Sequence, residues 1–86
     1  MDGKELMQKA HALQGDLLGM DIFPWAAICN VTIDTVGAVF VKVTLKGYGD
    51  DHIWHLKDEV TFSNYPNEKM TWDEFLDKVS SLIHTT

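Results

Sequence analysis

The residues of this chain that could do chemistry are few, and most fall in one stretch, Asp50-Asp51-His52-Ile53-Trp54-His55. Carboxylates and imidazoles are common metal ligands, and a bound ion would make a small hydrolase. The spacing works against it. In a strand, side chains three residues apart point to opposite faces, so His52 and His55 meet on one ion only around a bulge. Cys29 with any of the four histidines would be a nucleophile and its base. Cys29 alternates in phase with Val31 and Ile33, however, which reads as a small residue on an apolar strand face. Asp50–Asp51 and Asp58–Glu59 imitate the carboxylate pairs that divide acid and base roles, but they sit in turn-like segments where solvation accounts for them. Ser80 and Ser81 lie on the polar side of a helix, with no elbow motif around them. No phosphate loop, dinucleotide fingerprint or zinc knuckle is present. The reading is a non-enzyme without a cofactor or metal. A small metal-dependent hydrolase using the histidines ranks third among the functions considered.

Charge separates this chain from the ordinary more than any motif does. Thirteen acidic residues stand against seven basic ones, all of them lysine, for a formal net charge of -6. Arginine is the usual residue for gripping phosphates and base edges bidentately, so its absence argues against direct binding of nucleic acid. A field of one sign instead steers toward a basic partner. The chain's 86 residues are 45% hydrophobic, which predicts one folded domain over 1–86. Stability at this size is about 5 kcal/mol, which leaves little of the core for a deep pocket. The single cysteine, the polar opening MDGKELMQK and the lack of an apolar run of about 20 residues predict a reduced, cytoplasmic protein with no membrane anchor.

The elements that must position these residues follow from periodicity. Leu6, Ala10, Leu13 and Leu17 recur at helical spacing from about Asp2 to Leu18, with Asp2 and Glu5 placed as a capping box and Gly19 at the end. Pro24 breaks the chain, and its neighbours Phe23 and Trp25 are expected to close one end of the core. Ala26–Asp34 and Val39–Lys46 alternate, with Ala27, Cys29, Val31 and Ile33 in phase with one another, and likewise Val39, Val41, Val43 and Leu45. Joined through Gly37, they read as a hairpin. A third strand, His52–Phe62, puts Trp54, Leu56, Val60 and Phe62 on one parity, with a bulge or strand end expected between Lys57 and Glu59. Trp54 and Trp72 fit core positions. Thr71 and Glu74 form a second capping box, followed by the apolar stripe Trp72, Phe75, Leu76, Val79, Leu82 and Ile83. The fold class is therefore α+β: helix, three-stranded antiparallel sheet, helix, with both helices packed on one sheet face.

Two surfaces stand out as contacts. The acidic one comprises Asp73, Glu74 and Asp77 of the last helix with Asp50 and Asp51. The alternative is the outer sheet face, where Ile28, Phe40, Lys42 and Ile53 are expected with Lys46, His55 and Lys57, an apolar patch rimmed by lysine.

The element order resembles that of double-stranded RNA-binding domains, whose phosphate contact depends on a basic run at the start of the last helix. Here that place reads TWDEFLDK, which is acidic, so the likeness is of order and not of function. In size, charge and compactness the chain is similar to small acidic phage proteins that block nucleic-acid-handling host machinery, such as anti-CRISPR proteins. The predicted function is a small acidic protein-interaction module, an inhibitor or adaptor of phage or mobile-element type that occupies a basic surface of such machinery. The alternative is a structural subunit that self-associates as a homodimer or assembly, through the sheet face or a strand edge.

Overall fold

A computed structural model of the chain describes residues 1–84. These form α1 (Gly3–Leu17), β1 (Trp25–Ile33), β2 (Val39–Tyr48), β3 (Trp54–Ser63) and α2 (Trp72–His84). The strands make an antiparallel sheet in the order β1-β2-β3, and the helices contact one face of it, as the alternation of β1 and β2 predicts. The inner face carries Val39, Val41, Val43 and Leu45 of β2, all buried, with Phe62 of β3. Leu6, Ala10 and Leu13 of α1 close over them, together with Phe75, Val79, Leu82 and Ile83 of α2. Because Val and Leu alternate on β2 while the apolar residues of both helices repeat at three to four, each element hides one side in a common core.

Both helices begin at the same end of the sheet. Gly3 lies against Gly37 and Val39, so closely that a Cβ there would meet the Gly37 carbonyl oxygen at 3.1 Å. At the start of α2, the Trp72 and Phe75 rings sit 5.5 Å and 5.6 Å from that of Phe62. Asn64 ties this end together: its Oδ1 accepts the Val39 amide at 2.8 Å and its Nδ2 donates to the Gly37 carbonyl at 3.1 Å. Both N-cap side chains accept the amide three residues on, as expected of a capping box, while the Glu74 carboxylate takes the Thr71 hydroxyl. Asp2 accepts the Glu5 amide at 2.7 Å, and Thr71 Oγ1 accepts the Glu74 amide at 3.1 Å while donating to the Glu74 carboxylate at 3.3 Å. Thr71→Ala should therefore lower the unfolding free energy by about 1 kcal/mol. Chemical denaturation measures this directly, and an unchanged midpoint would mean that α2 draws nothing from its cap.

Four expectations are corrected. The bulge lies where the sequence suggests, but its consequence is a reversal of facing. Asp58 pairs with Leu45 and Leu56 with Lys46, which leaves Lys57 as the extra residue. One inserted residue shifts parity, so Val60 and Phe62 point to the helices while Leu56 and Trp54 point away from them. Trp54 is thus 41% exposed rather than core. By the same shift His55, opposite Gly47, and Lys57, whose Nζ lies 5.7 Å from the centre of the Trp25 ring, are not on the outer face. Glycine at 47 permits this arrangement, because a Cβ there would stand 2.8 Å from Lys57 Cε and 3.0 Å from the Trp25 ring. Phe23 does not close the core; it is 70% exposed, whereas Trp25 is half-buried against the core. Leu76 is half-buried at the seam between the helices, in a groove shared with Leu13 and Trp72, because Phe75 takes the central position.

Candidate protein-interaction surface

With both helices on one side, the other face of the sheet is left uncovered. Across its middle run Ile28, Thr44 and Glu59, then Asn30, Lys42 and Thr61. Lys42 and Glu59 approach to 3.7 Å, an exposed pair that contributes little to stability. The two ends of this face differ. At the end where the helices begin, Phe40 stacks edge-on against Tyr65 at 5.4 Å and is only half exposed. At the far end lies a cluster of three rings. Tyr48 and Trp54 are directly opposed on β2 and β3, with centroids 5.1 Å apart, and Phe23 reaches within 6.0 Å of the first and 6.4 Å of the second.

The chain builds this cluster from backbone contacts upward. The Tyr48 amide donates to the Pro24 carbonyl at 2.8 Å, which draws the connector between α1 and β1 over the end of the sheet and lays Phe23 on Tyr48. The bulge at Lys57 then turns Trp54 and Leu56 to the same side. Ile53 (58% exposed) and Leu56 (59% exposed) extend the apolar surface. Such a patch of aromatic and aliphatic groups is the kind that marks a contact site on a small protein.

The turn from β2 to β3 supplies the polar rim. The Gly49 amide donates to the Ile53 carbonyl at 2.9 Å, the His52 amide donates to Gly49 at 3.0 Å, and His52 adopts a left-handed φ of 62°. The Asp51 carboxylate accepts the Ile53 amide at 3.1 Å and contacts His55 Nε2 at 2.8 Å. The backbone amide first, and His55 second, hold the Asp51 carboxyl below the ordinary carboxylate value. Its contribution to the turn is therefore present above the usual carboxylate pKa and is lost only as pH falls through the lowered one. His52 turns the other way, with Nδ1 3.2 Å from the Tyr48 hydroxyl. The two histidines thus have separate partners. Among the described residues no three His, Cys, Asp or Glu side chains gather in a metal-ligand group.

The residues singled out from sequence are divided by the fold. Asp50, Asp51 and Ile53 lie in the turn beside Tyr48 and Trp54. Ile28 is on the outer face three positions from the start of β1, while Phe40 and Lys42 lie toward the start of β2, away from the ring cluster. Asp73 and Glu74 sit in the first turn of α2, next to Phe62, and Asp77 lies one turn on, beside Asp58 and Glu59. Phe62 and Trp54 are eight residues apart on β3, or about 26 Å. Asp73 and Glu74 are therefore separated from Asp50 and Asp51 by most of the length of β3, with Asp77 between them. Phe23, Tyr48, Trp54 and Leu56 were not anticipated as site residues. The signal for Trp54 and Leu56 was the Asp58 interruption, and for Phe23 a position outside any period.

Cys29 faces the helices as its phase predicts, but it is only half-buried, in a groove lined by Gln14, Leu17 and Trp25. Burial raises its thiol pKa, so the protonated form dominates at neutral pH. A thiol reagent at mildly alkaline pH should label native protein several-fold more slowly than denatured protein. Equal rates would contradict the facing of β1.

No family model, curated protein or solved structure matches the chain.

Proposed function

We propose that this chain is an acidic protein-interaction module, an inhibitor or adaptor that acts by occupying a basic surface of a nucleic-acid-handling protein. Its contact site is the end of the outer sheet face formed by Phe23, Tyr48, Trp54 and Leu56, with Asp50 and Asp51 at the rim. The observation that carries this reading is the exposed three-ring cluster set beside an acidic turn. Aromatic faces attract guanidinium and ammonium groups, and carboxylates at the edge pair with the same groups, so arginine or lysine on the partner meets both. The net charge of -6 adds long-range steering toward a basic protein. Steering by charge and anchoring by rings act at different stages: rim charges set association rate, and central apolar anchors set dissociation.

Photo-cross-linking tests the site. A photoreactive side chain at Leu56, in lysate of the native host, is expected to capture a basic protein, and one at Asp73 is expected to capture it weakly or not at all. Capture from Asp73 alone would move the site to α2 and overturn the sheet-face reading.

A further inference from the structure

The sheet has two free edges, and they are built differently. The β3 edge carries Lys57, Asp58 and Glu59 in succession together with the bulge, both of which discourage a further strand. The β1 edge, Trp-Ala-Ala-Ile-Cys-Asn-Val-Thr-Ile, has nine residues with no charge and no proline. Nothing in its side chains guards it.

Its hydrogen-bonding groups can be assigned from the two ends of the β1–β2 ladder. The Tyr48 amide bonds the Pro24 carbonyl, and the Asp34 amide bonds the Ala38 carbonyl. In an antiparallel pair, such bonded positions alternate with positions whose amide and carbonyl point outward. Even-numbered residues of β1 therefore bond to β2. Ala27, Cys29, Val31 and Ile33 turn their backbone groups to the open side. Among the described residues, one side chain answers them: Gln14 Nε2 donates to the Cys29 carbonyl at 3.1 Å, where a neighbouring strand's amide would otherwise stand.

We infer that β1 is the pairing edge of a two-fold homodimer, in which β1 of one copy lies antiparallel to β1 of the other and the two sheets continue as one. Charge selects a second copy as the occupant. Two chains of net charge -6 repel each other over most of their surfaces. This side is the exception. The strand is uncharged, and the flank of α1 that borders it presents Lys4, Gln8, His11, Gln14 and Leu18; the carboxylate that lines the same side, Asp34, is held in the β1–β2 turn by the Val36 and Ala38 amides. The two-fold axis also sets the α1 helices antiparallel. The Lys4 end of each then approaches the C-terminal end of the other, whose last turn has no basic residue of its own. Leu18 (85% exposed) and Ile33 (57% exposed) become covered. Gln14 yields or shares the Cys29 oxygen, which has a second lone pair. The outer sheet face, with the aromatic cluster, stays open on both copies, so this inference stands or falls independently of the function proposed above.

The test combines sedimentation velocity with amide hydrogen exchange on the whole chain, from low to high micromolar concentration. The expected result is a dimer whose formation slows exchange at Ala27, Cys29 and Val31, while Ile28 and Asn30 are protected at every concentration. Ile33→Lys, at an exposed position that the fold tolerates, should weaken the dimer by about tenfold or more, because it puts a charge on an otherwise uncharged edge that pairing would cover. A monomer at all concentrations would overturn the inference. So would a dimer in which Ala27, Cys29 and Val31 exchange as fast as in the dilute protein, because that dimer must use another surface.

Discussion

Phe75→Ala should leave this protein close to unfolded at physiological temperature. Phe75 is fully buried and stands where the two helices and the sheet meet, with its ring 5.6 Å from Phe62 and 5.3 Å from Trp72. Truncating such a ring costs about 3–5 kcal/mol, from lost transfer energy and from the cavity left behind. The total stability of a domain this size is about 5 kcal/mol or somewhat more, so the single change consumes most of it. In thermal terms the midpoint should fall by at least about 12 °C, if a cooperative transition survives. Circular dichroism against temperature measures it. An unchanged melting curve would contradict the packing of α2. Leu76→Ala, at the half-buried seam, should cost distinctly less.

Trp54→Ala should do the reverse, sparing the fold and removing the contact. At 41% exposure on the uncovered face, Trp54 supports little of the core, and a loss of about 1 kcal/mol or less is expected in stability. For binding it is the largest ring of its cluster, opposed to Tyr48 and edge-on to Phe23. Central tryptophans commonly contribute 2 kcal/mol or more, so affinity for the partner should fall by about 30-fold or more, chiefly through faster dissociation. Asp73→Lys combined with Asp77→Lys reverses charge on α2, away from the ring cluster, with Asp77 beside Asp58 and Glu59 and Asp73 nearer the far end of β3, and should mainly change the association rate and its dependence on salt. Should the double reversal abolish binding while Trp54→Ala binds normally, the acidic helix face is the site.

Much of the fold was legible because local rules agree with one another here. Alternation in β1 and β2 assigns Cys29 and Val43 to the helix side, and the Thr71–Glu74 box starts α2 within a residue of its observed position. The misreadings share a cause. A strand's facing is carried by a period of two, and one extra residue resets it. Asp58 showed that the pattern of β3 was interrupted, but an interruption does not say which half keeps its facing. Val60 and Phe62 were therefore placed correctly, and Trp54 and Leu56 were assigned to the wrong face. Phe23 was misassigned for a different reason. It has no period, and the Tyr48 amide bonding the Pro24 carbonyl, which fixes its place, is a contact between segments 24 residues apart. The same limit applied to the acidic surface. Asp50 and Asp73 share a charge in the sequence, and only the path of β3 shows that they lie at opposite ends of the sheet.

The central claim is that the uncovered sheet face at Trp54 is where this protein meets its partner. Measuring the affinity of the captured partner for wild-type protein, Trp54→Ala and the Asp73→Lys, Asp77→Lys double variant, at one moderate salt concentration, tests it most directly. The expected result is a loss of about 30-fold or more for Trp54→Ala and a much smaller loss for the double variant. Unchanged affinity for Trp54→Ala, with the variant folded as judged by its melting curve, would contradict the claim.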